Sequence, residues 1–223
     1  MSEQVTITID GRELSARRGE KLLWAALRNE IYIPHLCAWP EIEPPEASCR
    51  LCYVEIEGRE RPVTSCTEPV IEGMVVHTRS PRVDRLVASA FELIMSDHHL
   101  NCAKCPQHKR CELQKIARER RLRLRPSRLT ALPRRGERDD SLKTIYFDSG
   151  RCVLCGRCIW ACRELARVGA IGFSRRGYKQ AVTTFGDLPL AETACTECGE
   201  CVEICPVGAF SYKINAGGER ESL

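Results

Sequence analysis

The chain has 223 residues, 15 cysteines, a formal net charge of +4 and only 6% aromatic residues. That length fits one or two domains, and so little aromatic mass beside so much cysteine points to small modules built around something other than hydrocarbon. Disulfides fit poorly: residues 1–10 have neither the basic nor the apolar region of a secretory signal, and the cysteine count is odd. No run approaches the roughly 18 apolar residues of a membrane span. The composition therefore reads as a cytoplasmic, reduced protein whose cysteines are thiolate ligands.

Three segments follow along the chain. In the first, residues 1–78, alternation at Val5, Ile7 and Ile9 predicts a half-buried strand. Asp10-Gly11 is a hairpin signal, and residues 13–16 form the return strand. Leu22, Leu23, Ala26 and Leu27 predict a helix over residues 20–29. Pro34, Pro40, Pro44 and Pro45 break the next stretch into loop, and strands are predicted over residues 52–57 and 74–78. This pattern gives a small α+β domain.

In the second segment, residues 79–135, Pro81 opens a helix carrying an apolar stripe of Val83, Leu86, Val87, Ala90, Phe91 and Ile94 and ending near Met95. A cysteine-rich turn comes next, then a helix over residues 112–124 and a linker bracketed by Pro126 and Pro133. Of the 30 residues from Lys109 to Arg138, 12 are Lys or Arg. Nucleic-acid binding, docking on an acidic partner, and a solvated helix face with linker are the possible readings. The stretch has no Tyr, Phe or Trp to stack bases, and the solvated face is favoured.

The third segment, residues 136–223, contains a repeat. Cys152, Cys155, Cys158 and Cys162 have the same spacing as Cys195, Cys198, Cys201 and Cys205, with Gly156 and Gly199 at the same place in each run. The repeated Cys-x2-Cys-x2-Cys-x3-Cys, with Pro206 after the second copy, is the run of bacterial two-cluster ferredoxins. Three closely spaced thiolates wrap three corners of a [4Fe–4S] cubane, and the glycine lets the backbone turn round it. The fourth cysteine is expected to open a helix toward the other cluster. The expected sets are Cys152, Cys155, Cys158 with Cys205, and Cys195, Cys198, Cys201 with Cys162. A pair of zinc knuckles is the alternative, but zinc sites take their ligands in two pairs. No proline follows Cys162, and the path from it to Gly169-Ala170 is four residues longer than that from Cys205 to Gly208-Ala209.

Cys37, Cys49, Cys52 and Cys66 in the first segment suit a [2Fe–2S] rhomb, with a structural zinc site as the alternative. That leaves Cys102, Cys105 and Cys111 for a third [4Fe–4S] cluster, which needs one more ligand. His98, four residues ahead of Cys102 in the pattern His-x3-Cys-x2-Cys-x5-Cys, supplies it. His99 is the nearest competitor; His35, His77 and His108 read as ordinary residues. All 15 cysteines are then used.

The spacing of the first cysteine set resembles the [2Fe–2S] domain opening the large iron–sulphur subunit of respiratory complex I, and the His98 pattern resembles a histidine-ligated cluster of the same subunit. Taken together, the modules resemble the small diaphorase (gamma) subunit of soluble NAD-reducing nickel–iron hydrogenase, over essentially the whole chain. Similar modules open iron-only hydrogenases and some NAD-dependent formate dehydrogenases. The resemblance implies a modular α+β protein: a [2Fe–2S] ferredoxin-like (β-grasp) domain over 1–78, a small helical [4Fe–4S] domain over 79–135, and a two-[4Fe–4S] ferredoxin domain over 136–223. It implies a non-catalytic electron relay within an oxidoreductase, with a flavin- and NAD-binding diaphorase subunit and the small and large nickel–iron hydrogenase subunits as partners. The alternatives are the iron–sulphur subunit of another NAD-linked complex and a free polyferredoxin. No glycine-rich nucleotide fingerprint follows a strand, so no flavin or NAD site is expected on this chain. Nor, with 18 residues after Cys205, is a hydrogen-activating or molybdenum site. Arg151 and Arg157 are expected to offset the negative charge of thiolate-ligated iron.

Overall fold

The computed structural model describes residues 3–129 and 138–214. Pro133, Arg134 and Arg135 of the basic linker lie outside the described residues. The backbone gathers into two compact units, Met1–Leu93 and Ile94–Leu223.

The first unit is built on a five-stranded sheet of order β2-β1-β5-β3-β4. β1 (Gln4–Ile9) and β2 (Arg12–Arg17) form the hairpin that Asp10-Gly11 signals, with both turn residues at positive φ, 50° and 79°. The antiparallel register sets Val5 against Ala16 and Ile7 against Leu14, so the apolar residues share the buried face. β3 (Tyr53–Ile56) and β4 (Val63–Thr64) pair antiparallel, and β5 (Val75–His77) runs parallel to β1. The Asp10 carboxylate accepts from the Thr78 amide at 2.8 Å and its hydroxyl at 2.5 Å, tying the end of β5 to the hairpin turn.

α1 (Leu22–Arg28) starts later than the apolar spacing predicts. Lys21 is extended, and the Glu20 carboxylate is occupied with the Arg17 amide and the Arg28 guanidinium. Leu22, Leu23, Ala25 and Ala26 are fully buried in one core with Val5, Ile7, Ile9, Val54 and Val76. The proline-broken loop between α1 and β3 has no regular element, yet Ile33, Leu36 and Leu51 within it are fully buried. Its apolar side chains hold a long irregular loop in a defined path.

α2 (Pro81–Asp97) has Pro81 in its first turn and the Ser80 hydroxyl accepting from the Val83 amide at 3.1 Å. Its buried stripe is Val83, Val87, Phe91 and Met95, one residue per turn. Leu86, Ala90 and Ile94 are only half-buried, so the stripe is narrower than the sequence predicts.

In the second unit α3 (Glu112–Arg120) ends four residues before the predicted end. Arg121 takes a left-handed φ of 54°, and the Leu122 amide turns back to the Ala117 carbonyl at 2.8 Å. The solvated-face reading suits Arg121, Arg123, Arg125 and Arg128, all exposed, but not Arg120, which is 7% exposed on the inner face of α3. β6 (Arg138–Asp139), β7 (Ile145–Asp148) and β10 (Phe210–Tyr212) form an antiparallel sheet of order β10-β7-β6. β8 (Ile171–Ser174) and β9 (Ala181–Thr184) pair as a separate antiparallel two-stranded sheet.

The short helices correct one expectation. α4 (Arg157–Trp160), continued by a π-helical turn over Ala161–Leu165, and α5 (Glu200–Glu203) begin directly after Gly156 and Gly199. They therefore contain the third cysteine of each run; the fourth lies inside the π-helical continuation (Cys162) or past the helix end (Cys205) rather than opening a helix. The reason is local: a glycine at φ 78° or 83° reverses the chain so sharply that the helix starts at the reversal. Third and fourth cysteines then stand about one turn, ~6 Å, apart along the axis.

Candidate metal centres

The backbone of the two runs is shaped alike. Leu154 and Glu197, each just before the second cysteine of its run, have φ of 55° and 54°. This curl points the Leu154 amide at Cys152 Sγ, 3.4 Å away, and elsewhere the Ala170 amide donates to Cys162 Sγ at 3.2 Å. Two cavities result. One is lined by Cys152, Cys155, Cys158 and Cys205, with Phe147, Val182 and Val207 among its apolar walls. The other is lined by Cys195, Cys198, Cys201 and Cys162, with Ile145, Ile171 and Leu190. Phe210 lines both and stacks on Phe147 at 4.4 Å between ring centres.

The Cys155, Cys158 and Cys201 thiols resist ionisation. Burial, then the neighbouring Cys205 and Cys152, pushes the Cys155 thiol up to about 12. Cys158 is pushed well up by burial and by Cys155 and Cys152; Cys201 is pushed up by burial and by Cys195 and Cys198. Four sulphurs so close together, some of them buried, all become thiolates only around a cationic centre. A four-sulphur, apolar-walled pocket with backbone amides on sulphur fits an iron–sulphur cluster, which takes four thiolate ligands. Among the described residues no three His, Cys, Asp or Glu side chains are gathered tightly enough for a single metal ion.

The second constellation lies in the same unit. Cys102 opens a 3-10 turn and Cys111 sits at the N-cap of α3. Burial raises the Cys111 thiol, and Cys105 and Cys102 add to the effect, so these three sulphurs are neighbours. His98 follows the last residue of α2, and the groups around its ring are Arg151, His99 and Asp148. Burial lowers its pKa to about 4, keeping the imidazole neutral, the form that ligates metal. Its Nδ1 is buried with no hydrogen-bond partner among the described residues. His99 is exposed, and its backbone amide donates to the Gly150 carbonyl at 2.7 Å. Arg151 and Asp148 form an ion pair at 3.0 Å beside the His98 ring.

In the first unit Cys37, Cys52 and Cys66 are at most 1% exposed. The Cys49 amide points at Cys37 Sγ, 3.5 Å away. The hydrogen bond with Cys49 holds the Cys37 thiol low and pushes Cys49 up; likewise Cys66 raises Cys52. Cys49 also feels Cys52, which links the two pairs. Left-handed Ala47 and Arg50 shape the loop on either side of Cys49. The remaining histidines make local contacts: His35 Nδ1 with the Ile33 carbonyl at 2.9 Å, His77 Nε2 with Glu57 at 3.1 Å, and His108 Nδ1 with Gln114 Nε2 at 3.4 Å.

Glu197 went unremarked in the sequence. Its carboxylate accepts from the Thr144 amide at 2.7 Å, the Thr144 hydroxyl at 2.6 Å and the Lys143 amide at 3.3 Å. Desolvation pushes this carboxyl up, but the Thr144 and Lys143 hydrogen bonds outweigh it and hold the group below its usual range. Aligning the two repeats, which sets Leu154 against Glu197, is the signal that could have singled it out.

Three iron–sulphur family descriptions match successive parts of the chain. A 2Fe-2S iron-sulfur cluster binding domain matches residues 2–81, an NADH-ubiquinone oxidoreductase-G iron-sulfur binding region matches 88–123, and the ferredoxin-like domain of NADH-quinone oxidoreductase subunit 3 matches 143–211. Fold and sites thus define an iron–sulphur electron-transfer protein of NADH-linked oxidoreductases. The NADP-reducing hydrogenase subunit HndD of Solidesulfovibrio fructosivorans is 38% identical over 92% of this chain and 36% of its own length. A subunit of the NADH-quinone oxidoreductase of Rhizobium meliloti is 36% identical over 95% of this chain and 25% of its own length. The chain therefore spans about a quarter to a third of these curated relatives. A chain in the crystal structure of NAD+-reducing [NiFe]-hydrogenase in the H2-reduced state superposes with a TM-score of 0.84 at 30% identity, over 96% of this chain and 88% of that one. The chain belongs to the family of the diaphorase gamma subunit of NAD-reducing nickel–iron hydrogenase, related to the large iron–sulphur subunit of complex I.

Proposed function

We propose that this chain relays electrons between a hydrogenase module and a flavin- and NAD-binding diaphorase module, in a complex interconverting H2 and NAD+ with NADH and a proton. The observation that carries this reading is the match over 88% of a chain in an NAD+-reducing [NiFe]-hydrogenase crystal structure. Cys37, Cys49, Cys52 and Cys66 hold a [2Fe–2S] cluster. His98, Cys102, Cys105 and Cys111 hold a [4Fe–4S] cluster, as do Cys152, Cys155, Cys158 with Cys205, and Cys195, Cys198, Cys201 with Cys162. When bound, such clusters take up and release single electrons. The chain's own part is to hold them, exclude water with Phe147, Phe210 and Leu190, and aim backbone amides at sulphur. The domains run 1–78, 79–135 and 136–223, and the work is done in the cytoplasm, where thiols stay reduced. Among the described residues no helix is long and apolar enough to cross a membrane.

The test is metal content and reconstitution. Purified without oxygen, the chain is expected to hold about fourteen iron atoms, in one two-iron and three four-iron clusters. Alone it neither binds NADH nor reduces viologen with H2; both activities return when the partner subunits are added. Stoichiometric zinc with little iron or acid-labile sulphide overturns the cluster reading, and NADH binding by the lone chain overturns the relay reading. The longer relatives favour a second reading, an iron–sulphur subunit of another NAD-linked complex, and the chains that co-purify decide between the two.

A further inference from the structure

The two ferredoxin runs fold alike but carry different charge. At the left-handed position before the second cysteine, one has neutral Leu154 and the other Glu197. At the first residue after the glycine, one has Arg157 and the other Glu200. Arg157 is 5% exposed. It lies against Cys155, whose thiol is lowered by both its backbone amide and its positive charge, against the larger rise from burial. Glu197 is fixed as an anion next to Cys195 by the three hydrogen bonds from Lys143 and Thr144.

We propose that these aligned substitutions make the two sites unequal: the Cys152, Cys155, Cys158 and Cys205 site holds its cluster at a higher reduction potential than the Cys162, Cys195, Cys198 and Cys201 site, and Arg157 is chiefly responsible. This rests on the [4Fe–4S] reading of both sites. Reduction adds one negative charge, which a buried cation favours and a fixed carboxylate opposes. Burial acts in the other direction. Cys155 and Cys158 are 8% and 7% exposed whereas Cys198 is exposed, and a low dielectric disfavours the more charged state. The guanidinium prevails because it sits inside that low dielectric, where little water screens it. The solvent that eases charge at Cys198 also screens half-buried Glu200.

The experiment is an EPR-monitored redox titration of the full chain loaded with iron and sulphide, with Cys198→Ser assigning the second site's signal. The parent should show the first site at the higher potential. Arg157→Gln should lower that potential and leave the second site unmoved, Arg157→Lys should retain it, and Glu200→Gln should raise the second. Equal or reversed potentials in the parent, or an unmoved first site in Arg157→Gln, overturn the inference. If Arg157→Gln loses its cluster, Glu200→Arg decides: it must raise the second-site potential, and no rise overturns the inference. Iron is counted on the same samples. Iron well below the about fourteen atoms of four filled sites overturns the site reading itself, whereas full iron with unmoved potentials overturns only this assignment.

Discussion

Imidazole binds iron as a neutral ligand, whereas thiolate brings a full negative charge, so a single histidine makes a cluster easier to reduce; the histidine-ligated Rieske centres move in this direction. His98 is suited to that role by its buried, unpartnered Nδ1 and by the burial that keeps its ring neutral. His98→Cys is expected to keep a [4Fe–4S] cluster at a lower potential, and His98→Ala to loosen the cluster or convert it to a three-iron form. His99→Ala should do neither, because the contact that His99 makes with Gly150 uses its backbone amide, which alanine retains. EPR-monitored titration of the three variants checks this. A cluster disturbed by His99→Ala and untouched by His98→Ala would place the ligand one residue later.

At the scale of the element, the glycine turns decide the geometry. Gly199 has φ 83°, and a Cβ there would run into the Tyr212 hydroxyl on β10. Gly199→Ala therefore combines a left-handed backbone cost with a clash, and should destabilise the protein by about 1–3 kcal/mol. It should also lower the iron retained by the second run, since Cys198 and Cys201 flank the turn. Gly172 on β8 is the control: its φ is not in the left-handed region and no atom lies within 4 Å of an added Cβ. Gly172→Ala should stay within about 0.5 kcal/mol of the parent. Thermal melting and iron analysis of the two variants read the difference. The alternative outcome, equal melting points, would mean that Tyr212 swings aside and the left-handed turn accepts alanine, both at no cost.

Across the whole molecule the two units draw their stability from different sources. The first has a continuous apolar core between α1 and the sheet. In the second, two cavities are walled by crowded cysteines, so bound iron is expected to be part of what holds the unit together. Removing iron anaerobically with a chelator is expected to leave the β1 and β5 amides protected, among them Thr8 and Asp10, which bond to the Met74 and Val76 carbonyls. The Asp148 and Lys213 amides, bonded to Ala209 and Thr144, should exchange much faster in the iron-free chain. Hydrogen exchange with and without chelator tests this; uniform loss of protection in both units would count against separate sources of stability.

Some of this was legible in the sequence because its physical causes are local. The Asp10-Gly11 hairpin, the start of α2 after Ser80 and the identical spacing of the two cysteine runs each depend on residues within one turn of chain. The strands of the second unit were not legible: β7 is buried on both faces, so Ile145–Asp148 shows no alternation to read, and β10 is only three residues long. The end of α3 was missed because it rests on a left-handed arginine rather than on a glycine or proline. Only tertiary structure set Arg120 on the buried face of α3 while Arg121 and Arg123 stayed in water. The exchange of Cys162 and Cys205 between the runs was expected from the ferredoxin spacing, but it is the return of the chain after its reversals at Gly156 and Gly199 that brings those sulphurs to one cavity wall. Sequence specified the candidate donors and, through their spacing, the sets expected; the return of the backbone decided how deeply each is buried and what walls it, because burial and proximity are properties of the folded chain.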